Sequence, residues 1–474
     1  MEFVDRIIEQ GRLSRLLSRE QPGFAIVRGR RRVGKSTLIK RVLTDKDIYF
    51  EADKTDASTQ MSNLSYVVSQ MFEGFGDAQY KNWRALLTAL NHRVTEKITL
   101  CLDEFPYLVE SDSSLPSVIQ TLLDSGEIKY NIVLCGSSQT MMYNLTHDEA
   151  SPLFGRQEAD FNIGPIRLPF LQEALGLNDI ETIENYAIWG GIPRYWKLRE
   201  DSTSLREAID EHILSTFGAL YEEPQHLFRD DLKDIVKTAT IMTIVGGGAT
   251  RLKEIAAKCN EPATNLSRPL AKLIDLGYLE KDIPFGVSVK DNKKSLYRIA
   301  DPFLNFHFKF VPANRSFIEL GRKALIDSLL DERLPELTGY WWERLCRDAV
   351  TGNTINGITY SEARRWWGQV CIDGEYIDVE LDVVAESLDK KHILIGECKW
   401  TSGENGRLLT NEIQKIADAL PFTKGKQIEI ILFTKVIPKE DIGNSILPQK
   451  VIDMNNYFLC HRQEHTIGRR KEYL

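Results

Sequence analysis

The sequence predicts an α/β chain of several domains, and three observations predict it. Residues 29–36, Gly29-Arg30-Arg31-Arg32-Val33-Gly34-Lys35-Ser36, form a complete G-x-x-x-x-G-K-S phosphate-binding loop. It lies between a short apolar run (24–27) and a helical one (37–43). Two further runs, 97–104 and 131–136, have the unbroken apolar character of parallel strands covered on both faces. In the last third, 375–385 alternates apolar with acidic residues, the period of a half-buried strand.

At 474 residues the chain exceeds one ordinary domain. Its 42% hydrophobic and 27% charged residues are those of a globular protein, and no apolar stretch approaches membrane-spanning length. The opening Met1-Glu2-Phe3-Val4-Asp5-Arg6 lacks the parts of a signal peptide, so a cytoplasmic location without membrane association is expected. Seven cysteines are scattered, with no C-x-x-C pair and no metal-ligand spacing to the eight histidines. Cys101, Cys135 and Cys398 fall inside apolar runs, as buried thiols of a reducing compartment do. A net charge of −8 excludes a protein that coats nucleic acid, so any such contact must be local.

The phosphate loop comes first. Gly29 and Gly34 let the backbone curl so that successive N–H groups point at phosphate oxygens. Lys35 reaches the β- and γ-phosphates, Ser36 ligates Mg²⁺, and the helix entered through Thr37 offers its positive end. Run 97–104 ends in Asp103-Glu104, where Asp103 would hold Mg²⁺ through water and Glu104 would polarise the attacking water. Acids capping a turn are the plain alternative. A phosphate loop about seventy residues earlier favours the first reading. Run 131–136 leads into Ser137-Ser138-Gln139. A polar residue there can touch the γ-phosphate and the attacking water; Ser137 or Ser138 equally suits the N-cap of a helix starting near Thr140. Arg156, after Ser151-Pro152-Leu153-Phe154-Gly155, is either a surface residue or a finger stabilising charge on a neighbour's transferring phosphoryl group.

Taken in order, Phe3-Val4-Asp5-Arg6 with Glu9, the GRRRVGKS loop, LDEF (102–105), CGSS (135–138), SPLFGR (151–156) and Gly190-Gly191-Ile192-Pro193-Arg194-Tyr195 resemble a family of prokaryotic ATPases. These are AAA+-related proteins of the signal-transducing, STAND-like branch, and the resemblance covers roughly residues 1–310. It implies an ASCE-type core over 1–160 that uses ATP and Mg²⁺. The implied nucleotide contacts are Gly29, Arg30, Arg31, Arg32, Val33, Gly34, Lys35, Ser36 and Thr37. Glu104 is the implied catalytic base, and Pro193 is placed in a lid near the base and sugar. ATP-dependent homo-oligomers joined through Arg156 are implied as well. Many AAA+ relatives carry Asn where this chain has Ser137, which leaves the sensor open.

Residues 161–230 hold helical patterns (Phe170, Leu171, Ala174, Leu175; Leu205, Ala208, Ile209, Ile213) around the Gly190–Pro193 turn, which fits a small helical lid. Residues 231–310 spell three helices and a hairpin, the layout of a winged helix-turn-helix. Its second helix, 264–276, has apolar residues at Leu266, Leu270, Leu273 and Ile274. Arg268 and Lys272 would share the outer face toward nucleic acid, with Lys290, Lys293 and Lys294 on the wing. Residues 251–300 carry ten Lys/Arg against six Asp/Glu, a local excess inside an acidic chain. The bland reading is a module packed on the ATPase.

Residues 311–474 read as helix–β–β–β–helix–β. The 375–385 strand would put Asp378, Glu380 and Asp382 on one face, opposite Ile377, Val379, Leu381 and Val383. The next strand places Glu397 and Lys399 two apart on the same face. Asp382 and Glu397 would hold a metal ion that polarises a scissile phosphate. Lys399 would position or deprotonate water, and Glu343 would reach in from the preceding helix. This set, ELDVV followed by GECKW, resembles the PD-(D/E)xK nuclease superfamily, an α/β restriction-endonuclease-like fold, here of the DUF234 type. Arg364-Arg365-Trp366-Trp367 reads as a buried tryptophan pair with a basic rim, or as a nucleic-acid contact.

The resulting expectation is an ATP-binding and hydrolysing protein that controls a metal-dependent nuclease-like domain acting on nucleic acid, with defence against foreign DNA as one setting. The alternative is an ATP-driven signalling switch whose nuclease-like domain is inactive and binds DNA or protein.

Overall fold

Five strands, three of them buried at every residue, organise the first third of the chain. The structure is a computed structural model that describes residues 3–232, 234–288 and 294–455. Lys290 and Lys293 therefore lie outside the described residues. The chain forms two compact units, one of residues 4–165 with 229–233, the other of 1–3, 166–228 and 234–474.

The first unit runs α1 (Ile7–Leu17), β1 (Phe24–Arg28), α2 (Lys35–Val42), β2 (Ile48–Glu51), α3 (Ala57–Ser69), α4 (Trp83–Arg93), β3 (Thr99–Asp103), α5 (Phe105–Ser111), α6 (Leu115–Asp124), β4 (Asn131–Gly136), α7 (Gln139–His147) and β5 (Ala159–Asn162). The sheet is parallel throughout, in the order β2-β3-β4-β1-β5. Central strands β1, β3 and β4 are fully buried, which is why the middle of each (24–27, 100–102 and 132–135) is an unbroken apolar run. Because β4 lies between β1 and β3, the phosphate loop, the Ser137 turn and the Asp103-Glu104 turn emerge side by side at the strands' C-terminal ends. That edge is where open α/β sheets bind ligands. Edge strands β2 and β5 span four residues each and are only partly buried, too short to announce themselves by periodicity.

The second unit contains α8 (Leu168–Leu175), α9 (Asp179–Trp189), α10 (Pro193–Glu200), α11 (Leu205–His212) and most of α12 (Glu223–Asp231). Next come α13 (Ile235–Gly246), α14 (Leu252–Cys259), α15 (Ala263–Asp275), β6 (Leu279–Asp282), β7 (Leu296–Ile299), α16 (Pro302–Glu319) and α17 (Lys323–Val350). After the short pair β8 (Thr354–Ile355) and β9 (Ile358–Thr359) follow β10 (Arg364–Ile372), β11 (Glu375–Glu386), β12 (His392–Lys399), α18 (Gly406–Ala419), β13 (Gln427–Thr434) and β14 (Ser445–Ile446). The segments expected at 161–230, 231–310 and 311–474 share this unit because two long helices run through all of them. α16 packs on α9 and α13, and α17 packs on α9, α16 and strands β11 and β12. Ion pairs Lys435–Glu184 (3.0 Å) and Arg206–Asp327 (2.9 Å) bind the earliest helices to the last third.

The C-terminal sheet has the order β10-β11-β12-β13-β14, antiparallel up to β12 and parallel beyond. Its core joins Leu381, Val384, Ile393, Ile395 and Leu432 to Ile413 and Ala417 of α18. Two expectations are corrected here. Strict alternation holds only over Val379–Val383: before it residues 375–378 are all exposed, and after it Val383, Val384 and Ala385 are all buried where β12 pairs with Val383–Glu386. Residues 375–382 pair only with β10, so Ile377 and Asp378 are both exposed on a projecting hairpin. The tryptophan pair is also reversed: Arg365 is the buried residue, and Trp366 and Trp367 are half-buried on β10.

Candidate active site

The phosphate loop is shaped by residues that tolerate no substitute. Gly29 has φ 152°, and a Cβ there would collide with the Ile163 carbonyl. From the other side Arg6, itself buried, reaches the carbonyls of Val33 (3.4 Å) and Gly164, and pairs with Glu9 (3.4 Å). This explains the early Asp-Arg…Glu pattern as a brace under the loop. Lys35 is only 5% exposed and bonds the Arg30 carbonyl across the loop (3.3 Å).

At the end of β3 the Asp103 carboxylate collects donors. Ser36 Oγ (2.6 Å) and the Tyr49 hydroxyl donate to Oδ2, and the Glu104 N–H donates to Oδ1 (2.9 Å). Burial alone would raise its pKa, but hydrogen bonds from Cys135, Ser36, Tyr49 and Glu104 outweigh that and hold it below the usual carboxylate range. Tyr49 is pushed far up by burial and then by Asp103, so it stays a donor. Asp103 is therefore a buried anion beside the serine at the head of α2, a donor set that suits a hard cation.

Glu104 adopts a left-handed backbone (φ 51°, ψ 41°), unusual for a residue with a side chain. Its Oε2 accepts both the N–H (3.2 Å) and the hydroxyl (2.9 Å) of Ser137. Gly136 permits this approach, since a Cβ there would lie 2.6 Å from Pro106 Cδ on the helix that Glu104 begins. Neither Ser137 nor Ser138 caps α7 with its side chain. The cap comes from Asp231, whose carboxylate accepts the Gln139 N–H (2.9 Å). Arg156 is engaged by Asp124 through two bonds (2.8 and 2.9 Å) and donates to the Pro152 (2.9 Å) and Phe154 (3.3 Å) carbonyls. Pro193 opens α10 in the second unit, and Thr37 follows Ser36 in the first turn of α2.

In the second unit the fork between β11 and β12 creates the other cluster. Where the two strands part, the Cys398 N–H has no ladder partner on β11 and donates instead to Asp382 Oδ2 (2.9 Å). Lys399 pairs with Glu397 (2.8 Å). Burial lowers the Lys399 pKa, but Glu397 and Asp382 raise it more, so the ammonium stays charged. That state suits positioning of an anion, and proton removal by Lys399 is not supported. Glu343, from α17, is pushed up to about 8 by burial and then by the Asp382 charge. Asp382 and Glu397 are raised by burial too. Arg347 bonds the Asp382 carbonyl (2.9 Å) and lies 3.8 Å from Glu343. Arg365 is 8% exposed, lies 3.7 Å from Glu343 and 4.0 Å from Asp282, and pairs with Glu380. Among the described residues no three His, Cys, Asp or Glu groups are arranged to hold a metal ion. Asp382 and Glu397 thus remain a two-carboxylate set with Glu343 beside them.

The helix α15 turns Leu266, Leu270 and Leu273 inward and leaves Arg268 exposed and Lys272 half-exposed. The hairpin beside it faces inward: Glu280 pairs with Arg344, and Asp282 with Arg298 (3.0 Å).

Sequence reasoning missed Tyr49, Asp231 and Arg347, and placed Arg365 on a basic rim where the structure buries it. Tyr49 sits on a four-residue edge strand, and Asp231 is ninety-two residues from the helix it caps, so neither has a local signal. A buried arginine two residues after Ser361-Glu362-Ala363, at the start of a strand, reads like any basic surface residue.

A five-stranded parallel sheet with this loop, serine–aspartate pair and following glutamate defines a P-loop ATPase core. The chain resembles archaeal-type P-loop ATPases that carry a further domain later in the sequence. Residues 3–198 match the family described as an ATPase domain predominantly from Archaea, and residues 307–416 match one described as archaeal and bacterial proteins of unknown function. The chain is 26% identical over 405 residues to an uncharacterized protein of Methanocaldococcus jannaschii, covering 84% of this chain and 87% of that one. Among solved structures it resembles the Walker-type ATPase PABY2304 of Pyrococcus abyssi (TM-score 0.52, 20% identity), covering 65% of this chain and 96% of that one. The Aeropyrum pernix ORC2 protein, solved with ADPNP and ADP, matches at TM-score 0.45 and 14% identity, over 68% of this chain and 96% of that one. The Pyrococcus abyssi structure shares the fold. Among the described residues no helix is long and apolar enough to cross a membrane.

Proposed function

We propose that the protein hydrolyses ATP at the 29–37 loop and uses that cycle to control a nuclease-like centre acting on nucleic acid. In the first unit Lys35 would neutralise phosphate charge, and Ser36 and Asp103 would hold Mg²⁺, whose charge would offset that of the phosphates. Glu104 orients and activates the attacking water, and Ser137 aims the Glu104 carboxylate. Pro193 would border the nucleotide base, and Arg156, once released by Asp124, would serve a neighbouring subunit in an ATP-dependent homo-oligomer.

For the second unit, the observation that carries the reading is the crowding of Glu343, Asp382 and Glu397. All three are pushed up by burial, and the Asp382 charge raises Glu343 and Glu397 further, as in carboxyl groups that share one buried space. Asp382 and Glu397 would hold a divalent ion, which would polarise a scissile phosphate, and charged Lys399 would position the anion. The three helices and hairpin of 235–299 act as a winged helix. Because the hairpin's Glu280 is paired to Arg344 and its Asp282 to Arg298, nucleic acid would be met by Arg268 and Lys272 on α15.

One observation favours a second reading, a signalling switch with a catalytically silent domain that binds DNA or protein. Arg347 and Arg365 already bring positive charge to Glu343. Incubating the full chain with plasmid DNA or total RNA, with Mg²⁺, Mn²⁺ or EDTA and with or without ATP, separates the two. Cleavage that needs the divalent ion and disappears in Asp382→Ala supports the nuclease. Intact substrates under every condition leave the switch.

A further inference from the structure

We propose that Tyr49 is a positioning residue for magnesium binding, an inference that rests on reading Ser36 and Asp103 as the metal-holding pair. Tyr49 lies in β2, opposite Cys101 of β3 in the parallel register. Its hydroxyl donates to Oδ2 of Asp103, the oxygen that also accepts from Ser36 Oγ (2.6 Å). Oδ1 is taken by the Glu104 N–H (2.9 Å). The ring is held from the helix side by Lys40, whose ammonium stands 4.3 Å from the ring centroid. Lys40 lies one turn beyond Ser36 on α2, so β2, β3 and α2 converge on a single carboxylate oxygen.

Two features make this contact consequential. Asp103 is 1% exposed, so solvent cannot replace a donor that is removed. A carboxylate that must meet a hard cation in a fixed direction depends on groups that fix its rotamer, and removing such a group typically costs about 10–100-fold in metal affinity. Ser36 cannot do this alone, because its oxygen is itself assigned to the ion. Tyr49 stands outside the phosphate loop and is free to hold Asp103 whether or not nucleotide is bound.

The test is calorimetric binding of a non-hydrolysable ATP analogue to the full chain, in Mg²⁺ and in EDTA, for wild type, Tyr49→Phe and Asp103→Ala. Phenylalanine keeps the ring and its contact with Lys40, so folding is preserved; melting curves confirm it. Wild type should bind more tightly with Mg²⁺ than in EDTA. Tyr49→Phe should lose about tenfold of that gain while its affinity in EDTA matches wild type. A merely structural role would weaken both conditions alike. An undiminished Mg²⁺ gain in Tyr49→Phe, with the gain lost in Asp103→Ala, overturns the role of Tyr49. A gain that survives in Asp103→Ala overturns the metal-pair reading, and the inference with it.

Discussion

Ser137 binds the Glu104 carboxylate twice, its hydroxyl at 2.9 Å and its backbone N–H at 3.2 Å both donating to Oε2. The contact spans the C-terminal ends of adjacent strands β4 and β3, the site of the γ-phosphate in the proposed ATP complex. In the proposed mechanism it gives Glu104 one orientation and leaves Oε1 for the water. Glu104→Gln should keep nucleotide affinity and lower turnover by about 10²-fold or more. Ser137→Ala, which spares the backbone donor, should lower turnover by a smaller factor, again with affinity kept. Phosphate release and nucleotide binding measured on the same samples check both, and wild-type turnover in Glu104→Gln would remove the base from the mechanism.

Among the described residues Lys35 makes no ion pair, and its ammonium donates to the Arg30 carbonyl (3.3 Å). Lys35→Ala should abolish ATP binding with little change in melting temperature. Calorimetry beside a thermal melt tests this, and retained affinity would contradict the loop assignment.

The Arg156–Asp124 pair turns the question of a finger into a comparison. If Arg156 acts on a neighbour's phosphate, Arg156→Ala should lose most turnover, and specific activity of wild type should rise with protein concentration. Asp124→Ala, which frees the guanidinium, should then keep or raise turnover. If the pair only braces the loop at 151–156, the two substitutions should behave alike and activity should not depend on concentration.

Asp382→Ala and Lys399→Ala should each remove divalent-dependent cleavage of nucleic acid and leave ATP hydrolysis intact, because the two sites lie in different units. Gel assays and phosphate release on the same variants decide it. Parallel loss of both activities would show that the acid cluster supports the ATPase and is not a separate centre.

His307, buried on α16, is pulled down to about 4 by burial, with its Nε2 bonded to the Tyr221 carbonyl (3.1 Å). The folded state therefore resists its protonation. Its contribution to stability is complete above the unfolded value near 6.5 and is lost as pH falls toward about 4. Melting temperature should drop across that window, and His307→Gln should flatten the drop. An equally steep fall in the variant would assign the acid sensitivity to another group.

The phosphate loop, the Asp103-Glu104 turn, the Ser137 turn, the order of helices and hairpin in 231–310, and the acid–lysine pair of β12 were all legible in sequence. Each is a local arrangement, in which a residue's role follows from its distance along the chain to an apolar run or a glycine. Tyr49, Asp231, Arg347 and Arg365 were not. Each acts on a group from another element, across separations of up to ninety-two residues, where chain distance carries no information.

What the sequence by itself determined is which groups are on offer: a glycine-bounded loop with its lysine and serine, an aspartate and a glutamate ending a buried strand, and carboxylates beside a lysine. These depend on backbone shape and side-chain type within a few residues. Only the tertiary structure decided how that chemistry is aimed. The β2-β3-β4-β1-β5 order brings Ser137 to Glu104, and the parting of β11 from β12 frees the N–H that holds Asp382. The burial of Arg365 in place of a tryptophan put a cation among the carboxylates. Direction and burial arise when elements far apart in sequence exclude water together, and no local pattern records that event.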